Sequence, residues 1–251
     1  MTVYPKNGII VYRIRLKDKY NKWNQFRNTI YFANPFFLVS RERIIGYARK
    51  KALKNKGELI MSISQENKEY TFRDYLTYPE DERWEIIDGV PFMQASPTPV
   101  HQEVLTELVR QMANYLTDKP CKVFPAPFCV RLPLSTEKNE YEVKNIVEPD
   151  ISIICDKAKI DDKGCNGAPD MIIEIISPSS IKMDRVVKFN KYEKAGVKEY
   201  WIVEPDQKLV SVFVLQINQR YGRTEIYTED DKITVSIFPD LVIDLIDVFT
   251  S

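Results

Sequence analysis

The chain has 251 residues, 44% hydrophobic and 29% charged, which suits one sizeable globular domain with an appendage. No apolar run nears the roughly 20 residues of a membrane-spanning helix, and charges interrupt MTVYPKNGIIVYRIRLKDKY too early for a signal peptide. The 36 Lys/Arg and 36 Asp/Glu cancel only overall: residues 1–60 carry 14 against 3, leaving 22 against 33 for residues 61–251.

Taken in chain order, the basic segment 1–60 comes first. KNKGELIM precedes Met61, and codons for Lys56-Gly57-Glu58 can spell a purine-rich ribosome-binding sequence just ahead of a start codon. From Met61, MSISQENKEYTFRDYLTYPED reads as a bacterial N-terminus. Residues 1–60 are therefore expected to be translated upstream sequence or a disordered extension, with a DNA-binding arm as the alternative. GIIVYRI and TIYFANPFFLV in this segment are strand-like, without helical periodicity.

Residues 61–251 alternate helix and strand patterns. TFRDYLTYPED predicts a short helix, with Thr71 as cap and Asp74 three residues on. RWEIIDGVPFMQAS predicts a hairpin turning at Asp88-Gly89. TPVHQEVLTELVRQMANYLTDK places Val100, Val104, Leu105, Leu108, Met112, Tyr115 and Leu116 on one helical face. CKVFPAPFCVRLP alternates like a strand whose prolines favour an edge or a bend. Two apolar runs follow, ISIIC and MIIEII, then a helix over DRVVKFNKYEKAG capped by Gly196, and a strand over EYWIVEP. The remainder predicts a hairpin and further strands. The fold class is thus mixed α/β, with a central sheet and a helix joining two parallel strands. Cys121, Cys129, Cys155 and Cys165 form no CxxC pair and have no flanking histidine partners. They are expected to be reduced thiols of a cytoplasmic protein.

Two acids stand where a core would object. Asp150 opens the run Ile151–Cys155, and Glu174 lies within Met171–Ile176. A buried unpaired carboxylate costs several kcal/mol or more and tends to become neutral. A Mg²⁺ ion removes the objection, because it takes one or two protein carboxylates together with water and phosphate oxygens. The 24 residues from Asp150 to Glu174 allow two neighbouring strands joined by a loop. Phosphodiester hydrolysis uses such an ion, together with a cation near the developing charge. Lys188, on the helix after Glu174's strand, is the candidate cation, and Glu85 in RWEIIDG adds a further carboxylate. The plainer readings are a surface ion pair between Asp184 and Lys188 at i, i+4, and Glu85 on the polar face of its hairpin.

At these positions, EPD, EIISPSS and DRVVKFNKYEKAGVKEYWIVEP, preceded by WEIIDGV and His101, resemble the Uma-two family of restriction-endonuclease-like proteins within the PD-(D/E)XK nuclease superfamily. The resemblance spans about residues 70–250 and implies a restriction-endonuclease-like core of mixed sheet flanked by helices. It implies Mg²⁺-dependent chemistry, with Mn²⁺ able to substitute, on DNA. Asp150 and Glu174 correspond to metal ligands, Lys188 to the lysine of a D-x-x-x-K-x-x-x-Y helix with Asp184 and Tyr192 as companions, and Glu85 to the acid of the N-terminal motif. Ile176 stands where the superfamily lysine usually falls, so Lys188 is expected to reach the site from the helix.

The competing reading is an inactive nuclease-fold module for nucleic-acid or protein binding, or a homodimeric structural domain. The acidic balance of residues 61–251 disfavours gripping a polyanion. Lys182, Arg185, Lys188, Lys191, Lys194 and Lys198 around one helix are the compensating candidates. His101 is expected at the rim, and Tyr192 and Trp201 in the core. Mass spectrometry of the native protein's N-terminal peptide is expected to begin at or near Met61; a peptide beginning at Met1 would overturn the upstream-sequence reading.

Overall fold

The structure, a computed structural model, describes strand backbone at 2–6, 9–14 and 28–32, and residues 69–250 except 80, 135–138 and 178–179. The chain divides into two compact units, Met1–Asn67 and Lys68–Ser251. In the first, β1 (Thr2–Lys6), β2 (Ile9–Ile14) and β3 (Asn28–Phe32) form an antiparallel meander. Their registers run from Thr2 opposite Arg13 to Lys6 opposite Ile9, and from Ile10 opposite Phe32 to Ile14 opposite Asn28.

The second unit begins with α1 (Phe72–Tyr75), where the Thr71 N–H donates to Asp74 Oδ2 at 3.0 Å as the capping pattern predicts. β4 (Trp84–Ile87) and β5 (Val90–Met93) form the expected hairpin, with φ of 50° at Asp88 and 73° at Gly89. α2 (Pro99–Leu116) starts at Thr98, whose hydroxyl accepts the His101 N–H. It buries Val104, Leu105, Leu108, Met112 and Leu116, while Val100 stays exposed in the first turn.

The proline-rich run that reads as one bent strand is two strands in different sheets. β6 (Lys122–Pro125) ends at the prolines, and the chain crosses to β7 (Val130–Arg131). Then come β8 (Ile146–Val147), β9 (Ile151–Ile154), the small hairpin β10 (Ile160–Asp161) and β11 (Gly164–Asn166), and β12 (Met171–Ile175). The helix predicted next opens with a π-helical stretch, Met183–Lys188, and continues as α3 (Phe189–Ala195), ended by Gly196 at φ 87°. The chain closes with β13 (Glu199–Glu204), β14 (Leu209–Val214), β15 (Glu225–Thr228), β16 (Lys232–Thr234), β17 (Val242–Asp244) and α4 (Leu245–Thr250), the last a helix where strand was expected.

The expected mixed α/β class holds, and its mixed sheet is divided into two sheets of six strands each. One runs β15-β14-β13-β12-β9-β6 and the other β10-β11-β7-β8-β4-β5. β12 and β13 are parallel, joined by the helix, whereas β9 runs antiparallel to β12. The first sheet is covered on both faces, which accounts for its nearly continuous apolar strands. Ile151, Ile153, Ile173, Ile175 and Trp201 pack with Leu108 and Met112 of α2. Ile154, Ile172, Ile176, Tyr200 and Ile202 pack with Tyr192 and with Val130 and Val147 of the second sheet.

The cysteines correct one expectation. Cys121 and Cys155 are disulfide-bonded, while Cys129 and Cys165 are free. The pairing of Lys122 with Ile154 sets the two cysteines opposite each other at the next step of the ladder, a proximity that their 34-residue separation does not reveal. No helix among the described residues is long and apolar enough to cross a membrane. Leu108→Ala, at a fully buried position between α2 and the sheet, is expected to destabilise the unit by about 2–5 kcal/mol in urea unfolding.

Candidate active site

Asp150 and Glu174 meet through strand pairing. β9 and β12 place Ile151 opposite Ile173 and Ser152 opposite Ile172, so one further step sets Asp150 opposite Glu174. Opposed residues of an antiparallel pair share a face, and here it is the face of Ile172 and Tyr192. A backbone bond fixes the arrangement: the Ile175 N–H donates to Asp150 Oδ2 at 2.8 Å.

Lys188 arrives from the π-helical stretch, where the Phe189 N–H reaches back to the Asp184 carbonyl. The same carbonyl accepts the Tyr200 hydroxyl at 3.1 Å. The Lys188 Nζ lies 2.8 Å from Glu85 Oε1, 3.0 Å from Glu174 Oε1 and 3.4 Å from Asp184 Oδ1. Lys188 is 3% exposed and Glu85, Glu174 and Asp184 are 2–4% exposed, so the surface ion pair allowed by the i, i+4 spacing is instead a buried cluster. Ile176, in the usual lysine position, packs into the core. Glu85 is held twice, by Lys188 and by the Glu148 N–H at 2.9 Å. It belongs to β4 in the second sheet, so Lys188 ties the two sheets together.

The charges do not balance. One ammonium faces Glu85, Glu174 and Asp184, with Asp150 close enough to act on Glu174. Burial, followed by the charges of Asp184, Asp150 and Glu85, pushes the Glu174 carboxyl well above its ordinary range despite the opposing pull of Lys188. Burial alone would lower Lys188, but Glu174, Glu85 and Asp184 outweigh it and hold the ammonium charged. Burial and Glu174 keep the Tyr192 hydroxyl protonated, and it donates to Glu174 Oε1 at 2.6 Å. The site is short of positive charge.

Beyond His101, which the sequence already placed at the rim, Glu148, Tyr75 and Arg83 were not singled out by the sequence patterns. His101 Nε2 sits 3.2 Å from Asp150 Oδ2, which puts this rim residue in contact with the site. Glu148, two residues before Asp150 in EPD, accepts from the Tyr75 hydroxyl at 2.7 Å and from Arg83 Nε at 3.0 Å. The alternation of Glu148 with Asp150 and of Arg83 with Glu85 was the signal available. The basic residues around the helix are largely spoken for. Arg185 pairs with Glu204, Lys191 with Asp88 and Lys198 with Asp170.

For a hard divalent cation, the donors would be Asp150 and Glu174. Among the described residues no group of three or more acidic, histidine or cysteine side chains is arranged to hold a metal ion. Two carboxylates are enough for Mg²⁺, which keeps several waters. Glu174 spends Oε1 on Lys188 and Tyr192, and Asp150 spends Oδ2 on Ile175 and His101, while the second oxygen of each has no hydrogen bond among the described residues. The residues therefore fit such an ion by donor chemistry and by charge deficit. Lys188→Met, which strands three buried carboxyl groups, is expected to cost about 3–5 kcal/mol in urea unfolding. Glu174→Gln mimics the protonated acid. Because a raised folded-state pKa gives stability that is lost as pH rises, this variant is expected to gain on wild type as pH rises above the ordinary glutamate range in metal-free unfolding.

A family model described as "Putative restriction endonuclease" matches residues 72–246. Among solved structures, one titled a putative nuclease belonging to DUF820 from Anabaena variabilis superposes with a TM-score of 0.57 at 22% identity, over 72% of this chain and 97% of that one. Among curated proteins, none matches. The match takes in Glu85, Asp150, Glu174 and Lys188, and the chain belongs to the Uma2 family.

Proposed function

We propose that the chain is a metal-dependent endonuclease that hydrolyses phosphodiester bonds of DNA, with Asp150 and Glu174 as ligands of Mg²⁺ or Mn²⁺. The observation that carries this reading is the pair of opposed carboxylates on one sheet face, beside a cluster in which a single lysine faces three acids. When bound, the ion supplies Lewis-acid polarisation of a phosphoryl oxygen and a more acidic water. The chain's own groups fix the donors. The Ile175 N–H and His101 orient Asp150, and Tyr192 and Lys188 orient Glu174. Lys188 adds positive charge where the phosphoryl group gathers negative charge, and Glu85 anchors the lysine.

The full saturation of Lys188 by acids favours a second reading, a nuclease-fold module that binds nucleic acid or protein without cleaving. Plasmid cleavage with Mg²⁺ or Mn²⁺ separates the two. Asp150→Ala and Glu174→Ala are each expected to lower the rate by at least about a hundredfold, and equal activity in all three proteins would reject the assignment. Mn²⁺ is also expected to stabilise wild type against heat, by about 2.7 kcal/mol at a hundred times its Kd, and to leave Asp150→Ala unshifted.

A further inference from the structure

Beside Asp150 lies an aromatic pair that the metal site does not use. β6 is an edge strand, pairing Phe124 with Ser152 and Pro125 with Ile151. Ser152 and Asp150 alternate onto the same face, so Phe124 belongs to the face that carries Asp150 and Glu174. Diagonal neighbours across such a pair stand about 7–8 Å apart, comparable to the spacing of a phosphate and an adjacent base. The Phe124 and Phe128 rings are stacked, with centroids 4.4 Å apart and planes 14° apart. Both are half-buried, and Pro125 and Pro127 between them are exposed. The chain turns back through the Ala126 N–H, which donates to the Asp150 carbonyl at 2.9 Å.

We propose that Phe124 and Phe128 form a stacking platform for an unpaired nucleobase next to the phosphate held at Asp150 and Glu174. The inference rests on the nuclease reading and narrows its substrate to single-stranded or locally opened DNA. Duplex binding draws on free Lys and Arg contacts to phosphates, yet Arg83, Arg185 and Lys191 are engaged by Glu148, Glu204 and Asp88. A single strand also uses cations along its backbone, but stacking, which only an unpaired base can make, accepts any base and adds about 1–3 kcal/mol per base, or roughly 5- to 150-fold in affinity.

The test uses the full chain with Ca²⁺ in place of Mg²⁺. Anisotropy is measured with a fluorescein-labelled thymidine oligonucleotide and with a duplex of the same length. The single strand is expected to bind more tightly, and Phe124→Leu and Phe128→Leu, which keep apolar volume but lose the π-face, to weaken it about tenfold. A 2-aminopurine oligonucleotide on wild-type protein gives a readout independent of any variant's folding: its fluorescence is expected to be quenched on binding. Equal or tighter duplex binding, neutral leucine variants or unquenched 2-aminopurine would each overturn the platform. Asp150-dependent plasmid cleavage without quenching would sink the platform and spare the nuclease reading. Quenching with no cleavage under Mg²⁺ or Mn²⁺ would uphold the platform and remove the nuclease reading.

Discussion

A single buried ammonium organises this unit. Lys188 takes one carboxylate from β4 of one sheet, one from β12 of the other, and one from its own helix. None of these groups would be tolerable alone at such depth. The cluster holds because each charge has at least one opposite partner within 3.4 Å and further hydrogen bonds from Tyr192 and the Glu148 amide. The sheets' apolar faces supply the cohesion, and Lys188 fixes how the sheets register against each other around the acids.

The helix that delivers Lys188 is wound for the task. π-helical turns are uncommon and tend to occur at functional positions. Here the wider turn lies between the parallel strands β12 and β13. It leaves the Asp184 carbonyl shared by the Phe189 N–H and the Tyr200 hydroxyl, so the irregular backbone is satisfied internally. Asp184, Lys188 and Tyr192 all turn inward as a result, toward the strand that bears Glu174.

Much of this was legible in the sequence, for identifiable reasons. The Asp88-Gly89 turn, the Thr71 and Thr98 caps and the Gly196 stop are local, and local chemistry decides them. Asp150 and Glu174 stood out because an acid inside an apolar run demands a partner. The partners themselves are long-range. Nothing near Glu85 in the chain announces Lys188, and the pairing of Cys121 with Cys155 depends on a register that only the assembled sheet defines. The crossing from β6 to β7, the second sheet, and the occupation of the helix's outer cations by acids were hidden for the same reason.

The bond from the Ile175 amide to the Asp150 carboxylate has a consequence for how such a site changes over time. The separation of the two acids is measured out by hydrogen-bond steps between neighbouring strands. The excursion from Cys155 to Asp170 that connects them in the chain does not set it. The β10–β11 hairpin within that excursion is committed to β7 of the second sheet, so the chain between the acids serves that sheet while the β9–β12 register alone keeps the reactive spacing. Relatives with very different chain distances between these positions would still present the same pair of oxygens.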